Sequence, residues 1–332
     1  MKLLFFLSGG STLFSKEEVI SLLNSYEIKY EIAYSEGQLL ILDANISNTD
    51  FLFRLGLTHF VLDILSDFVI DEKIDRILSD IQWNSQLNFD RPFKVRVKNI
   101  EKKKYGNLEL LIARSISKFF EDKIKADLTN PVDEIVGLVS NNKLYIGKKI
   151  FERNKKDFNI RKPQLRPFFS PTSIDPRIAR AMINISGAQR EILDPFTGTG
   201  GILIEAGLIG LDTYGLDIEE KSALGTKMNL LNYGIKNFDI RVGDARKIFE
   251  TFGRGFETIV TDAPYGRSTK IDKDKEKMYR DCFFSILESF QKRCVIGLDK
   301  EYPFDEIGFH IENIYSFRVH KSLTRYLHVL TR

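Results

Sequence analysis

The feature that most constrains this chain is one short run, Ile192-Leu193-Asp194-Pro195-Phe196-Thr197-Gly198-Thr199-Gly200-Gly201-Ile202-Leu203-Ile204-Glu205. It reads as the end of a buried strand, a glycine-rich turn and the start of an apolar helix. Gly198, Gly200 and Gly201 let the backbone turn tightly and lie against a ligand with no Cβ in the way. The helix start offers free N–H groups. Nucleotide-like cofactors dock on such units, outside the carboxyl ends of parallel strands. Leu203 stands where a dinucleotide fingerprint needs its last glycine, and no Gly-Lys-Ser/Thr follows, so neither that fingerprint nor a P-loop is present. Asp194 at the strand end repels a pyrophosphate and suits a cation or an amino group.

Two later acids repeat the pattern. Asp217 follows a strand over 213–216, about 20 residues beyond the turn, where a ribose-hydroxyl ligand is expected. Ile240-Arg241-Val242-Gly243-Asp244-Ala245 ends a third strand in an acid suited to the exocyclic amine of an adenine. Each acid alone is as readily a helix cap or a loop residue. Three of them ending successive strands point to a ligand with a sulfonium and an ammonium, S-adenosylmethionine. The candidate cofactor residues are Asp194, Phe196, Gly198, Gly200, Asp217, Ile218, Asp244, Ala245 and Asp262.

From residue 168 onward strands and helices alternate, the pattern of a parallel α/β sheet. Asp175-Pro176 starts a helix through Asn184, with proline at the first helical position. A fourth strand over 258–261 ends in Asp262, a helix follows over 275–291, and a fifth strand spans 293–298. Residues 311–318 and 326–331 form a closing antiparallel pair. Upstream, residues 2–7, 28–33 and 38–43 read as strands, 16–26 as an amphipathic helix and 51–65 as a buried helix. Residues 93–98 alternate strictly, apolar against Lys94, Arg96 and Lys98. Residues 108–120 fit a helix, and 132–139 with 143–147 a hairpin.

The 332 residues suggest about two domains at ~150 residues each. The net charge of +3 permits a nucleic-acid partner without demanding one. The bias is local, however: residues 143–166 carry nine Lys or Arg against two acids. Such a surface neutralises phosphates and releases counterions. The proline-bearing stretch 159–167, with Arg161 and Lys162, reads as a basic linker. Cys282 and Cys294 lack CxxC spacing, so neither a disulfide framework nor a metal site is expected. No run approaches ~20 apolar residues, so no membrane span is expected. A cytoplasmic location follows.

Asp262-Ala263-Pro264-Tyr265-Gly266 carries the chemistry. Methylating an exocyclic amine is hard because its lone pair is delocalised into the ring. Acceptors must hold the N–H groups so that the lone pair turns toward the methyl donor. Asp262 supplies one acceptor and the Pro264 carbonyl another, and Tyr265 offers a stacking face worth ~1–3 kcal/mol. Pro and Gly also make ordinary turns. The position of this stretch at the end of the fourth strand favours the catalytic reading.

The carboxyl-terminal half resembles class I S-adenosylmethionine-dependent methyltransferases that modify nucleobase amines, whose fourth motif is typically Asp/Asn/Ser-Pro-Pro-Tyr/Phe/Trp. Ala263 replaces the first proline. Residues 166–180 and Val319-His320-Lys321-Ser322-Leu323-Thr324-Arg325 resemble the archaeal tRNA guanosine-10 N2-methyltransferases. The upstream strands over 91–98 and 132–147 resemble a THUMP domain behind a ferredoxin-like one. The resemblance implies an α/β fold with a Rossmann-like methyltransferase domain on a seven-stranded mixed sheet. It places α+β ferredoxin-like and THUMP domains before it, with bounds of 1–65, 66–150, a linker over 151–167, and 168–332. It implies methyl transfer from S-adenosylmethionine to N2 of guanosine 10, once or twice, with tRNA as partner. A small activating partner protein, or none, is left open. Catalysis falls to Asp262, Pro264 and Tyr265. Lys94, Arg96, Lys98, Arg161, Lys162, Arg267, Lys321 and Arg325 are candidate RNA contacts on charge and position. The alternatives are guanine-N2 methylation of ribosomal RNA or another tRNA position, and a non-catalytic RNA-binding protein.

Overall fold

The computed structural model describes residues 1–71, 73–85, 87, 91–170, 173–264, 273–320 and 323–332. The chain forms two compact units. The first comprises Met1–Leu7, Lys29–Phe53 and Thr58–Arg153; the second comprises Ser8–Ile28, Arg54–Leu57 and Asn154–Arg332.

The chain opens with β1 (Lys2–Leu7) and helix α1 (Thr12–Ser25), the latter part of the second unit. The first unit continues through β2 (Tyr30–Glu36), β3 (Leu39–Ala44), β4 (Thr58–Val69), α2 (Ile74–Asp80), β5 (Phe93–Asn99), α3 (Leu108–Phe119), β6 (Asp133–Ser140) and β7 (Lys143–Glu152). Its sheet order is β2-β3-β1-β4-β7-β6-β5. β5 and β6 are parallel, with α3 as the crossover. β6 and β7 form the expected hairpin, which turns at Asn141 and Asn142, both at positive φ. That geometry suits the twist of a two-residue hairpin turn. Phe93 and Val95 of β5 enter a core with Ile112, Ile116 and Ile135.

One expectation fails here. Residues 51–65 are not a helix: a short 3-10 turn, Asp50–Arg54, precedes the long strand β4. A continuous apolar run has no period that separates a buried strand from a buried helix. β4 lies between β1 and β7, and partners on both edges stabilise the extended form.

The second unit holds α4 (Lys155–Asn159), α5 (Pro176–Ser186), β8 (Glu191–Asp194), α6 (Gly201–Gly207), β9 (Asp212–Asp217), α7 (Glu220–Asn232), β10 (Phe238–Val242), α8 (Ile248–Phe252), β11 (Phe256–Asp262), α9 (Lys273–Ser289), β12 (Phe290–Leu298), β13 (His310–His320) and β14 (Leu323–Thr331). Among the described residues they make a seven-stranded sheet in the order β10-β9-β8-β11-β12-β14-β13. The first five strands of that order are parallel, and β14 runs antiparallel to its neighbours. This is the mixed Rossmann-like sheet expected from the sequence. Successive strand residues face opposite sides, and here both sides are apolar. Ile192, Val260, Val295 and Val329 enter one core, and Leu193, Ile259, Ile296 and Leu330 the other. Helices therefore cover both faces. Asp175 caps α5 by accepting from the Arg177 amide at 2.9 Å.

Helix α1 packs on α5 through a buried carboxylate. Glu18 accepts from the Gly56 amide at 2.7 Å, the Leu57 amide at 2.8 Å and Asn184 Nδ2 at 2.8 Å. Burial pushes its pKa up.

The stretch 159–167 is not a detached linker. Arg161 is 8% exposed and Arg166 is buried. Arg161 Nε and Arg180 Nη2 each lie 2.7 Å from the fully buried carboxylate of Glu205 on α6. The basic composition here neutralises an internal acid, which a charge count along the chain cannot distinguish from a solvated surface. Among the described residues no helix is long and apolar enough to cross a membrane.

Candidate active site

β10, β9, β8 and β11 are consecutive in the sheet, and an acid stands at or just past the carboxyl end of each: Asp244, Asp217, Asp194 and Asp262. Asp194 is 2% exposed. It accepts from Thr261 Oγ1 at 2.6 Å and from the Phe196 amide at 3.1 Å. Burial pushes its pKa up to about 7, and the charges of Asp262 and Asp217 add to the rise. Asp217 accepts from the Gly198 amide at 2.8 Å and the Glu219 amide at 3.0 Å, so it ties the glycine turn to the end of β9. Burial raises its pKa as well.

The turn needs its glycines. Gly198 and Gly200 sit at φ +52° and +73°. A Cβ on Gly200 would stand 2.8 Å from Thr226 Cγ2. Phe196 is half-buried, Ala245 buried, and Ile218 is 70% exposed beside Asp217. Asp244 caps the following turn, with Arg246 Nε at 2.9 Å and Nη2 at 2.5 Å from its Oδ2. The Arg246 bond holds its pKa low. Arg246 was not singled out from the sequence, although its i+2 spacing from an acid was visible.

At the end of β11 the Asp262 carboxylate meets Arg325, with Nη2 2.7 Å from Oδ2. Arg325 is 4% exposed. The expectation of an RNA-contacting Arg325 is therefore corrected: its guanidinium is buried against the candidate catalytic acid. Arg161 is corrected likewise, because its guanidinium is held by Glu205. Ala263 is fully buried, and its amide donates to the Gly297 carbonyl at 3.1 Å. A proline there has no N–H to give, so the departure from the usual motif adds one hydrogen bond between β11 and β12. The Pro264 carbonyl accepts from the Tyr279 hydroxyl on α9. A carbonyl oxygen has two lone pairs, so this bond does not exhaust it. Thr261, Tyr279, Gly297 and the Asp262-facing role of Arg325 carry no local sequence signal. Their partners lie 67, 15, 35 and 63 residues away, and strand order, or for Tyr279 the placement of α9, brings them together. Tyr265, Arg267 and Lys321 lie outside the described residues.

Of the other basic candidates, Lys94 pairs with Glu134 at 2.9 Å and Arg96 lies 3.8 Å from Glu109. Lys98 sits over the Phe6 ring at 5.1 Å, and Lys162 is exposed.

This geometry can be set beside known proteins. A family profile described as RMKL-like, methyltransferase domain, matches residues 163–326. The chain is 37% identical over 300 residues to the tRNA (guanine(10)-N2)-dimethyltransferase of Pyrococcus abyssi (strain GE5 / Orsay), covering 89% of this chain and 90% of the relative. It is 33% identical over the full length of both chains to the protein of the same name from Methanothermobacter thermautotrophicus. The crystal structure of TrmN from Thermus thermophilus superposes over the whole of both chains with a TM-score of 0.58 at 15% identity, a likeness of fold. By sequence over nearly its whole length, the chain belongs to the family of archaeal tRNA (guanine(10)-N2)-dimethyltransferases.

Proposed function

We propose that the protein transfers methyl groups from S-adenosylmethionine to the exocyclic N2 of guanosine 10 in tRNA, giving N2-methylguanosine and then the dimethyl form. The observation that carries the reading is the row of carboxylates ending four adjacent strands, with Asp262 at its end beside Pro264. Asp194 and Asp217, both raised by burial, favour a cationic ligand. Arg166 donates to Thr199 Oγ1 in the glycine turn at 3.3 Å, and its buried Nη2 has no hydrogen-bond partner among the described residues. An orphan guanidinium N–H at this turn suits the carboxylate of the cofactor's amino-acid tail. Asp194, Phe196, Gly198, Gly200, Asp217, Ile218, Asp244 and Ala245 hold the cofactor, with the exposed Ile218 as an apolar wall for its base.

When bound, S-adenosylmethionine supplies a methyl group on a positively charged sulfur. The chain's own residues then do the positioning. Asp262 accepts one amine N–H and the Pro264 carbonyl the other, which turns the nitrogen lone pair out of conjugation and toward the methyl. Tyr265 stacks on the base. No general-base histidine is required: the work is orientation and charge placement, and the proton the amine sheds as its N–C bond forms passes along its hydrogen bond to the Asp262 carboxylate. The first unit, with Lys94, Arg96 and Lys98 on β5, grips tRNA as a THUMP-type module. A cytoplasmic location fits a tRNA substrate.

The test is to incubate the protein with labelled S-adenosylmethionine and unmodified tRNA, then digest to nucleosides. Label is expected in N2-methylated guanosine; label in adenosine or cytidine, or none, refutes the reading. Parallel incubation with ribosomal RNA separates the two RNA classes.

A pH dependence follows from Asp194. Its carboxyl is raised to about 7 in the ligand-free protein, and a cationic ligand prefers the ionised form. Cofactor affinity is therefore expected to rise with pH up to about 7 and then flatten, falling by up to about tenfold per unit below it. Because the folded value lies above the unfolded one, this group's contribution to stability runs the other way. It is full below pH ~4 and lost as pH rises through 7. Calorimetric titration between pH 5.5 and 8 checks the first sign and thermal melts over the same range check the second, and Asp194→Asn should flatten both curves.

A further inference from the structure

Asp262 and Arg325 stand on strands that are not neighbours. β12 lies between β11 and β14. Strands pack about 4.8 Å apart, so these two backbones are separated by about 9–10 Å. The side chains nevertheless meet at 2.7 Å, over the middle strand. The middle-strand residue beside the Asp262 carboxylate is Gly297, in register with Asp262 on one side and Leu327 on the other. Gly297 is in ordinary extended backbone, with no positive φ to require glycine. Space is the reason for it. A Cβ at this position would stand 2.6 Å from Asp262 Oδ1, 3.5 Å from Asp262 Cγ and 3.2 Å from Leu327 Cδ2.

We infer that Arg325 and Gly297 are positioning residues. The Asp262 carboxylate lies over a strand kept bare at one residue, and the guanidinium meets it there and holds it in the orientation that receives the target amine. The inference rests on Asp262 being the amine's acceptor. The terminal torsion of an aspartate is broad, so without a fixed donor the carboxylate samples many directions. A charge-assisted bond from a planar guanidinium narrows that range. Arg325 is buried, so salt screens the pair weakly. Its charge also offsets a crowded row, because Asp262 and Asp217 stand at neighbouring strand ends and both disfavour ionisation of Asp194. A carboxylate has about four lone-pair sites, so the Arg325 bond alone does not exhaust it.

The experiment compares Arg325→Ala, Arg325→Lys, Gly297→Ala and Asp262→Ala in steady-state methylation of tRNA, with calorimetry for S-adenosylmethionine and thermal melts on each. For Arg325→Ala the expected result is a kcat lower by about tenfold to a hundredfold, with unchanged KM for tRNA and unchanged cofactor affinity. Added guanidinium ion, below denaturing concentration and against a sodium chloride control, restores rate in Arg325→Ala and not in Asp262→Ala. Arg325→Lys recovers part of the rate. Gly297→Ala lowers kcat with Arg325 intact. A raised KM for tRNA at unchanged kcat makes Arg325 an RNA contact and overturns the proposal, as does a folded Gly297→Ala with wild-type kcat. The second result decides the matter if Arg325→Ala does not fold. Full activity in Asp262→Ala instead removes Asp262 as the acceptor, a failure of the underlying reading.

Discussion

Asp262→Ala is expected to lower the rate of methyl transfer by about 10²–10³-fold while S-adenosylmethionine still binds. The size follows from the role. An acceptor placed where the amine develops charge acts in a site shielded by the sheet ends, where its loss is not made good by water. Cofactor contacts on the turn after β8 and at the end of β9 lie on other strands, so binding should survive. Truncating the acid also leaves Arg325 buried without this partner, which costs stability. Asp262→Asn is therefore the cleaner companion. It keeps the shape and an acceptor oxygen and removes the charge, so it should lose less single-turnover rate than Asp262→Ala, at a smaller loss of melting temperature. Loss of cofactor binding in Asp262→Asn would place the residue in the cofactor site instead.

The largest expected effect on stability lies elsewhere. Glu205 on α6 is fully buried between Arg161 and Arg180, and both guanidinium groups are themselves buried. The guanidinium of Arg161 also lies over the Phe158 ring at 4.5 Å from its centroid. Glu205→Ala strips two internal cations of their shared counter-charge. Breaking a buried pair by removing one partner costs about 3–5 kcal/mol. For a protein of this size that is a fall in melting temperature on the order of 5 °C. Replacing all three by methionine should cost less than Glu205→Ala alone, because burying no charge is cheaper than burying two unpaired ones. Differential scanning calorimetry separates the cases. A Glu205→Ala melt within a degree of wild type would mean that the two arginines find other partners.

The legible parts of this fold were those with a local signature. The strand-acid-helix rhythm after residue 168 showed in the sequence because each parallel strand is a short apolar run closed by a turn, and that rhythm recurs. Asp175-Pro176 marked a helix start and Asn141-Asn142 a hairpin for the same reason. The run that forms β4 has a helix-like pattern because an apolar run buried on both sides has no alternation to betray a strand. The site divided along the same line. Asp194, Asp217 and Asp262 could be found from position alone, since a strand's end is a local property. Gly297 and the Asp262-facing role of Arg325 could not, because what they do depends on strand order. Arg161 and Arg325 were assigned to RNA on charge; burial, which composition does not report, gave both guanidinium groups internal partners instead.

The central claim is that an exocyclic amine is the group held at Asp262. The most direct measurement uses two tRNAs that differ at one atom group, guanosine or inosine at position 10, incubated with the protein and labelled S-adenosylmethionine. Inosine lacks only the N2 amine. The account predicts label at position 10 of the guanosine tRNA and none at position 10 of the inosine tRNA. Equal labelling of the two at that position would contradict it.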